Sequence, residues 1–484
     1  MVILHSDFNN FYASVERKLF PELAGKPVAV CGDPELRHGI VLAKSEEAKA
    51  RGVKTGDVIW EAKRKCPGLI VRPARFSEYA RYSRAGREIY ARFTDQIEPF
   101  GMDECWLDVT RSSVFGSGEE IAERIRAAVK AELGLTVSVG VSFNKVFAKL
   151  ASDLKKPDAV TVVDRQNFRE KIFPLPVTDL LYVGRATAQR LQKVGIATIG
   201  ALAAADPRFL SDYLGKWGAT LSAYARGEDA SPVRAAGERE PLKQVGNSLT
   251  YFEDIYRIRD VKRLIYVLSE SVASRQRAAG LGKADTVHLW VRDKEMQNYS
   301  WQKKVRPTAL CGEIAEAAFS LFRERYTARR AVRGLGVTVS GFDHGVEQLS
   351  FESLGGGYDK KARAEEAVER IRQKHGYASL QRGIVFEDRA ALGLDVRHER
   401  PAGLSVEGAD SVSMDGAGPV SMGEAQPDSI TGAGSVPFGA SKGAGNSVSM
   451  GEAQPASVTG PVPFGASKGA SAQGGIPGGD TKDE

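Results

Sequence analysis

The sequence predicts a multidomain protein of mixed α/β (α+β) class, and three observations carry that prediction. The chain has 484 residues, more than one hydrophobic core usually organises. Strand-like and helix-like stretches alternate with long connections in the first 163 residues and again over 243–343, which reads as two separate α/β units. From about residue 390 the chain turns to Gly, Ser, Ala and Pro. Such a stretch buries too little apolar surface to offset its ordering entropy, so residues 390–484 are expected to be disordered.

Residues 2–7 read as a strand ending on Asp7, and a helix starts near Ala13–Glu16. Backbone N–H groups at such a helix start make an anion site. Val28–Cys31 and Ile40–Ala43 are short strands separated by glycine turns. A helix from about Ser45 to Arg51 stops at Gly52. Lys44, Lys49, Lys54, Lys63, Arg64 and Lys65 make this small unit basic. An Arg- and Tyr-rich helix spans 77–93, a strand spans 102–110, and a helix spans about 118–133 with Ile121, Ile125 and Val129 at helical spacing. The strand Thr136–Val141 precedes a helix that Asn144 can cap and that Lys155-Lys156-Pro157 ends.

Two short helices around a tight glycine turn are expected within 177–204, from Leu181 through Gly184 and Arg185 to Ile196. A helix-hairpin-helix of this shape offers backbone N–H groups to a DNA phosphate without reading sequence, although an ordinary αα-corner has the same local signature. Tyr182 stands where a first turn glycine is common, and Leu214–Gly218 is a similar turn. Residues 231–242 read as a linker. Strands at Val245–Thr250, Thr286–Arg292, Ser300–Val305 and Gly334–Ser340, with helices at 259–279 and 311–325, make the second unit. Arg and Lys punctuate it, as in sheets that lie on duplex phosphates. Glu347–Phe351, ahead of Gly355–Gly357, is a candidate docking peptide, and 358–375 is a charged helix. In the tail, the heptapeptide at Ser421 recurs at Ser449 and the nonapeptide at Val436 recurs at Val462, too few copies for a solenoid.

The formal charge of +6 is uneven. Residues 401–484 hold nine acids and three bases, a balance of −6, which leaves +12 on the first 400 residues. A basic folded part with an acidic tail points to a polyanionic partner, most simply nucleic acid. Cys31, Cys66, Cys105 and Cys311 form no C-x-x-C pair, so neither a zinc site nor a disulfide framework is expected. The apolar start is too short for a signal peptide, and no apolar run reaches 18 residues. The expectation is a soluble protein of a reducing cytoplasm, with no membrane segment.

The chemistry is sought at Phe100–Asp108. Asp103 and Glu104 head the apolar run Cys105-Trp106-Leu107, where uncompensated charge costs several kcal/mol. Asp7 ends an apolar strand in the same manner. If the two strands are neighbours, three hard oxygen ligands converge, with room for phosphate oxygens. That describes a Mg²⁺ site for phosphoryl or nucleotidyl transfer.

Together, Asp7 to Glu16 (DFNNFYASVE), Met102-Asp103-Glu104, Gly140 to Lys149 (GVSFNKVFAK) and Gly246-Asn247-Ser248 resemble the Y-family DNA polymerases, in their DinB/polymerase IV branch. Phe11 to Glu16 and Ala43 to Lys49 also resemble the UmuC-like branch. The resemblance covers residues 1 to about 385. It implies a right-hand polymerase: a palm at 1–10 and 74–163, fingers at 11–73, a helix-hairpin-helix thumb at 164–232, a linker at 233–242 and a DNA-binding little finger at 243–343. It implies two Mg²⁺ ions held by Asp7, Asp103, Glu104 and the Phe8 carbonyl. Asn10 and Phe11 would present N–H groups to the phosphates of a dNTP, and Tyr12 would be the steric gate against a ribose 2′-hydroxyl. Lys49 and Lys156 would contact the triphosphate, and Ile40 and Leu42 would cover the nascent base pair. Gly184, Arg185, Lys243, Asn247 and Ser248 would meet primer-template DNA. Residues 346–351, through Gln348, Leu349 and Phe351, would bind a sliding clamp, and the protein would act as a monomer. Small fingers and the lack of an exonuclease segment imply low fidelity, tolerance of damaged templates and no proofreading. Glu46 departs from the tyrosine common at its position, which bears on how the triphosphate is held, and Asn9 replaces a frequent second acid. The readings from other classes are a non-catalytic, polymerase-like DNA and clamp scaffold, and another palm-type enzyme such as a nucleotide cyclase. The three carboxylates argue against the first, the thumb-like and little-finger-like segments against the second.

Overall fold

A computed structural model describes residues 1–32, 39–238, 241–342, 357–376 and 379–386. The clamp-peptide residues Gln348, Leu349 and Phe351 and the tail at 390–484 lie outside them.

Strand β1 (Ile3–Phe8) is buried along its whole length, and α1 (Phe11–Leu19) follows after Asn10, whose left-handed backbone turns the chain. Strands β2 (Val28–Cys31) and β3 (Val41–Lys44), helices α2 (Glu46–Ala50) and α3 (Ile59–Lys65), and β4 (Ile70–Pro73) make a small layer with sheet order β3-β2-β4. Its own core includes Ala29, Val41, Ala48, Val53 and Cys66. Helix α4 (Phe76–Tyr90) leads to β5 (Ile97–Phe100) and β6 (Glu104–Asp108), which pair antiparallel. The expected strand at 102–110 is therefore shorter. Gly101, at φ +82°, bends residues 101–103 into a turn, and Asp103 stands in that turn.

Helix α5 (Gly118–Ala128) starts from a capping box of Ser117 and Glu120. The continuous helix expected to residue 133 widens to a π segment over Val129–Leu133. Strand β7 (Val137–Ser142), α6 (Lys145–Leu154), capped by Asn144 as expected, and β8 (Val160–Val162) complete a sheet ordered β5-β6-β1-β7-β8. β1 lies between β6 and β7, antiparallel to both, with Asp7 opposite Glu104. The two strands whose proximity the acidic residues required are neighbours.

A helical layer follows: α7 (Phe168–Ile172), α8 (Arg185–Lys193), α9 (Ile199–Ala204), α10 (Pro207–Leu214) and α11 (Lys216–Ala225). The first helix expected near 177 is a single 3-10 turn, Val177–Asp179, behind Pro176. Prolines at 174 and 176 remove the N–H groups a longer helix would use there. The expected linker is only partly a linker. Val233 is buried against Ile3, Trp106 and Ala148. Arg234 bonds Glu98 through its backbone N–H and its guanidinium, and Ala236 N–H donates to Asp95 O.

The second α/β unit has a four-stranded antiparallel sheet from β9 (Gln244–Ile255), β10 (Ala284–Asp293), β11 (Asn298–Thr308) and β12 (Val332–Phe342), ordered β11-β10-β12-β9. α12 (Ile258–Ala278) and α13 (Cys311–Arg325) cover one face. Helix α14 (Gly357–His375) and the single turn α15 (Gly383–Phe386) follow, as the charged helix at 358–375 anticipates. Arg372 on α14 and Arg382 both bond the buried Glu270 of α12.

Candidate active site

Strand ends deliver the acids. Asp7 leaves the buried strand β1, and Glu104 opens β6 directly across from it. Asp103 precedes Glu104 in the turn, tied down by the hydrogen bond from Phe8 N–H to Asp103 O at 3.0 Å. All three line one polar cavity of about 320 Å³, together with Phe8, Asn10 and Phe11. Leu42, Lys44, Glu46, Lys49, Thr55 and Lys156 also reach this cavity. Tyr12 and Ile40 are not among its lining residues. Tyr12 stacks on Tyr79 at 4.4 Å between ring centroids, and its hydroxyl donates to Met102 Sδ at 3.4 Å. Ile40 forms a lone bridge with Val58 just before β3.

The electrostatics of this cavity are unbalanced. Burial, then the charges of Asp7 and Glu104, push the Asp103 carboxyl up to about 7. Burial and the Glu104 charge also raise Asp7, against the pull of Lys156, whose Nζ donates to Asp7 Oδ2 at 2.6 Å. Burial would raise Glu104 as well, but bonds from His5 and Lys149 outweigh it and bring its carboxyl down to about 2. His5 is fully buried, with Nδ1 2.8 Å from Ser152 Oγ and Nε2 3.2 Å from Glu104 Oε2. Burial lowers its pKa and favours the neutral ring.

Among the described residues no three His, Cys, Asp or Glu side chains are gathered as a metal-ligand cluster. Lys156 and Lys149 are bonded to Asp7 and Glu104 instead. The donor set nevertheless fits hard divalent cations. It comprises three carboxylates lining one cavity, one of which burial, and then its neighbours' charge, raises to about 7. A cation there would relieve the repulsion that the lysines relieve only in part.

The other expected contacts are dispersed. Gly184 is the N-cap of α8, and Arg185 is its first residue. Lys243 is exposed just before β9. Ser248 is exposed on β9, whereas Asn247 turns toward the helix layer and donates to Ser271 Oγ at 3.0 Å. Strand alternation places Lys304 and Arg306 of β11 with Ser248 on the face the helices leave open. Sequence reasoning missed Lys44 and Thr55 as cavity residues. It also missed Glu16, whose carboxylate is buried beneath Tyr79.

The model of the impB/mucB/samB family matches residues 6–153, and that of the family's C-terminal domain matches 242–351. A DNA polymerase IV from Acetivibrio thermocellus is 50% identical over 392 residues, which are 80% of this chain and 98% of that protein. DNA polymerase IV 1 from Bacillus subtilis is 35% identical over 393 residues, 80% of this chain and 93% of that protein. Among solved structures, a Y-family DNA polymerase chimera of Dbh and Dpo4 superposes with a TM-score of 0.63 at 26% identity, over 71% of this chain and 99% of that one. An insertion ternary complex of Dbh DNA polymerase gives 0.51 at 25% identity with the same coverage.

Proposed function

The chain belongs to the Y-family DNA polymerases, in the DNA polymerase IV branch, and from that premise we propose how its own residues perform template-directed translesion synthesis. The convergence of Asp7, Asp103 and Glu104 at the ends of two paired strands carries the reading. These carboxylates, with the Phe8 carbonyl, would hold two Mg²⁺ ions, which would supply a lower pKa for the primer 3′-hydroxyl and charge neutralisation for the triphosphate and leaving pyrophosphate.

The protein groups bind and orient. Lys156 and Lys49 offer ammonium donors to the triphosphate, and the start of α1, at Asn10 and Phe11, offers backbone N–H groups. Tyr12 acts as the steric gate against a 2′-hydroxyl, held by its stack on Tyr79. Leu42 and Ile40 cover the nascent base pair. Residues 1–10 and 74–163 form the palm, 11–73 the fingers, 164–232 the thumb and 243–343 the little finger, with 233–242 between the last two. Gly184 and Arg185 in the thumb, and Lys243, Ser248 and the Asn247 backbone in the little finger, hold the primer-template by its phosphates. Gln348, Leu349 and Phe351 within 346–351 dock on a sliding clamp. The enzyme works as a monomer, with low fidelity and no proofreading. Four free, buried cysteines support a reducing cytoplasm as its location. Among the described residues no helix is long and apolar enough to cross a membrane.

The test is primer extension with Mg²⁺ on undamaged and lesion-bearing templates, comparing the parent with Asp103→Ala. Bypass by the parent and loss of extension in the variant are expected. Tight DNA binding without extension, under several metals and templates, would overturn the reading and leave a DNA-binding scaffold.

A further inference from the structure

The end of β3 and helix α2 supply part of the cavity lining, and that part carries two cations and one acid. Lys49 has Glu46 Oε1 3.6 Å away, and the same oxygen accepts a bond from Asn10 Nδ2 at 2.8 Å. Lys44 is different. It is the last residue of β3, it is half-buried, and it lines the cavity. Its Nζ donates to the Thr55 hydroxyl at 3.1 Å. Among the described residues no carboxylate lies within ion-pair distance of Lys44. Asp57 is held by Lys65 at 2.8 Å and by the Lys54 N–H at 2.7 Å. Burial first, and the charge of Lys49 second, pull the Lys44 pKa down, so this corner is cationic and under-compensated. An ammonium has three donors, and one neutral hydroxyl accepts from only one of them. Lys149 and Lys156, by contrast, already face carboxylates.

We propose that Lys44, steadied by Thr55, is a further binding residue for the triphosphate of the incoming nucleotide, in the same cavity as Lys156 and near Lys49. The proposal rests on the nucleotide reading of this cavity and adds a residue to it. Thr55 positions the lysine: its hydroxyl keeps the ammonium turned toward the cavity rather than toward solvent. Glu46, occupied with Asn10 and Lys49, leaves Lys44 as the cation on this wall that has no acid of its own among the described residues.

The experiment is single-nucleotide insertion by the full chain with Lys44→Ala, Lys44→Arg and Thr55→Val, separating KM for dNTP from kcat. Inorganic tripolyphosphate serves as a competitive probe at fixed free Mg²⁺, and primer-template affinity is measured in parallel. A lost charge-assisted hydrogen bond predicts that Lys44→Ala raises both the dNTP KM and the tripolyphosphate Ki about tenfold. In that variant kcat should stay within about threefold and the DNA Kd should not move. Lys44→Arg should recover most of the loss, and Thr55→Val should cost about threefold in KM. Unchanged KM and Ki in Lys44→Ala would overturn the proposal, as would a matching loss of DNA affinity, which would assign the lysine to the template strand. Asp103→Ala separates the two levels of failure. If it abolishes insertion while Lys44→Ala is silent, only the Lys44 assignment falls. If it leaves insertion intact, the reading of the cavity falls, and this proposal with it.

Discussion

Glu16→Gln tests whether a buried carboxylate ties the small β3-β2-β4 layer to helices α1 and α4. The Glu16 side chain is wholly buried on α1. Its oxygens accept from Arg75 Nε at 3.0 Å and Nη2 at 2.9 Å, from the Tyr79 hydroxyl at 2.9 Å and from Arg72 Nε at 3.4 Å. Three chain segments therefore meet on one side chain: α1, β4 and the start of α4. Breaking a buried ion pair typically costs ~3–5 kcal/mol. Arg72 and Arg75 keep 30% and 32% side-chain exposure, so water can re-solvate them, and the low end, about 3 kcal/mol, is expected. For a cooperative unit of roughly 150–250 residues that is a fall of about 6–12 °C in Tm. Glu78→Gln, which removes the more exposed Arg81–Glu78 pair, is the control and should change Tm by less than about 2 °C. Differential scanning calorimetry of the three proteins decides. If Glu16→Gln melts within about 2 °C of the parent, the argument that this carboxylate is a net stabiliser is refuted. Tyr79 carries the Tyr12 ring, so the same variant should also discriminate less well between dNTP and rNTP.

Three further outcomes follow from the same geometry. Gly140 on β7 lies against the Ala148 carbonyl and the Ser152 N–H of α6, so the methyl of Gly140→Ala would collide with backbone. The variant should lose about 3 kcal/mol or more and over tenfold in extension, because α6 also positions Lys149 at Glu104; a parent-like melt would refute this. Glu46→Gln removes a negative charge beside the proposed triphosphate site, so dNTP KM should fall several-fold at unchanged kcat, and a rise in KM would show the acid to be needed. Below about 7 the Asp103 carboxyl is protonated, so a divalent cation must displace that proton, whereas above 7 it meets a carboxylate. The Tm increase produced by millimolar Mg²⁺ should therefore grow from pH 5.5 to pH 8 and then level off. The metal-free protein should behave oppositely. Asp103 has a raised folded pKa, so its stabilising contribution is complete below the unfolded value of 3.8 and fades as pH climbs toward 7. A pH-independent Mg²⁺ effect would sink the assignment.

The pairing of β1 with β6 was legible because one apolar run ends on Asp7 and the other begins with Asp103 and Glu104, and adjacent strands bring those acids to one place where a shared cation can offset them. The cap at Asn144 and the long helices were legible from local pattern, whereas the Ser117–Glu120 capping box was not read from the sequence. What escaped was short or non-local. β5 and β8 hold four and three residues, too few to show a period, and Pro99 interrupts the first. The docking of residues 233–236 depends on Glu98, more than a hundred residues earlier in the chain. Glu16 looked like an ordinary helix-start acid because its partners lie 56–63 residues away.

The lysines show why the site was only half readable. Motif resemblance supplied Lys49 and Lys156, yet it says nothing about which cations are already neutralised. In the folded chain Lys156 and Lys149 face acids, Lys49 shares Glu46 with Asn10, and Lys44 has Thr55. That ordering follows from the β3–α2 turn and the loop to Thr55, which bring residues eleven positions apart into contact. Charge counted along the sequence treats these four lysines as equal. Among the described residues, their surroundings make Lys44 the one of the four whose positive charge an incoming triphosphate would complement without displacing a carboxylate, so its substitution should register in nucleotide affinity before it registers in turnover.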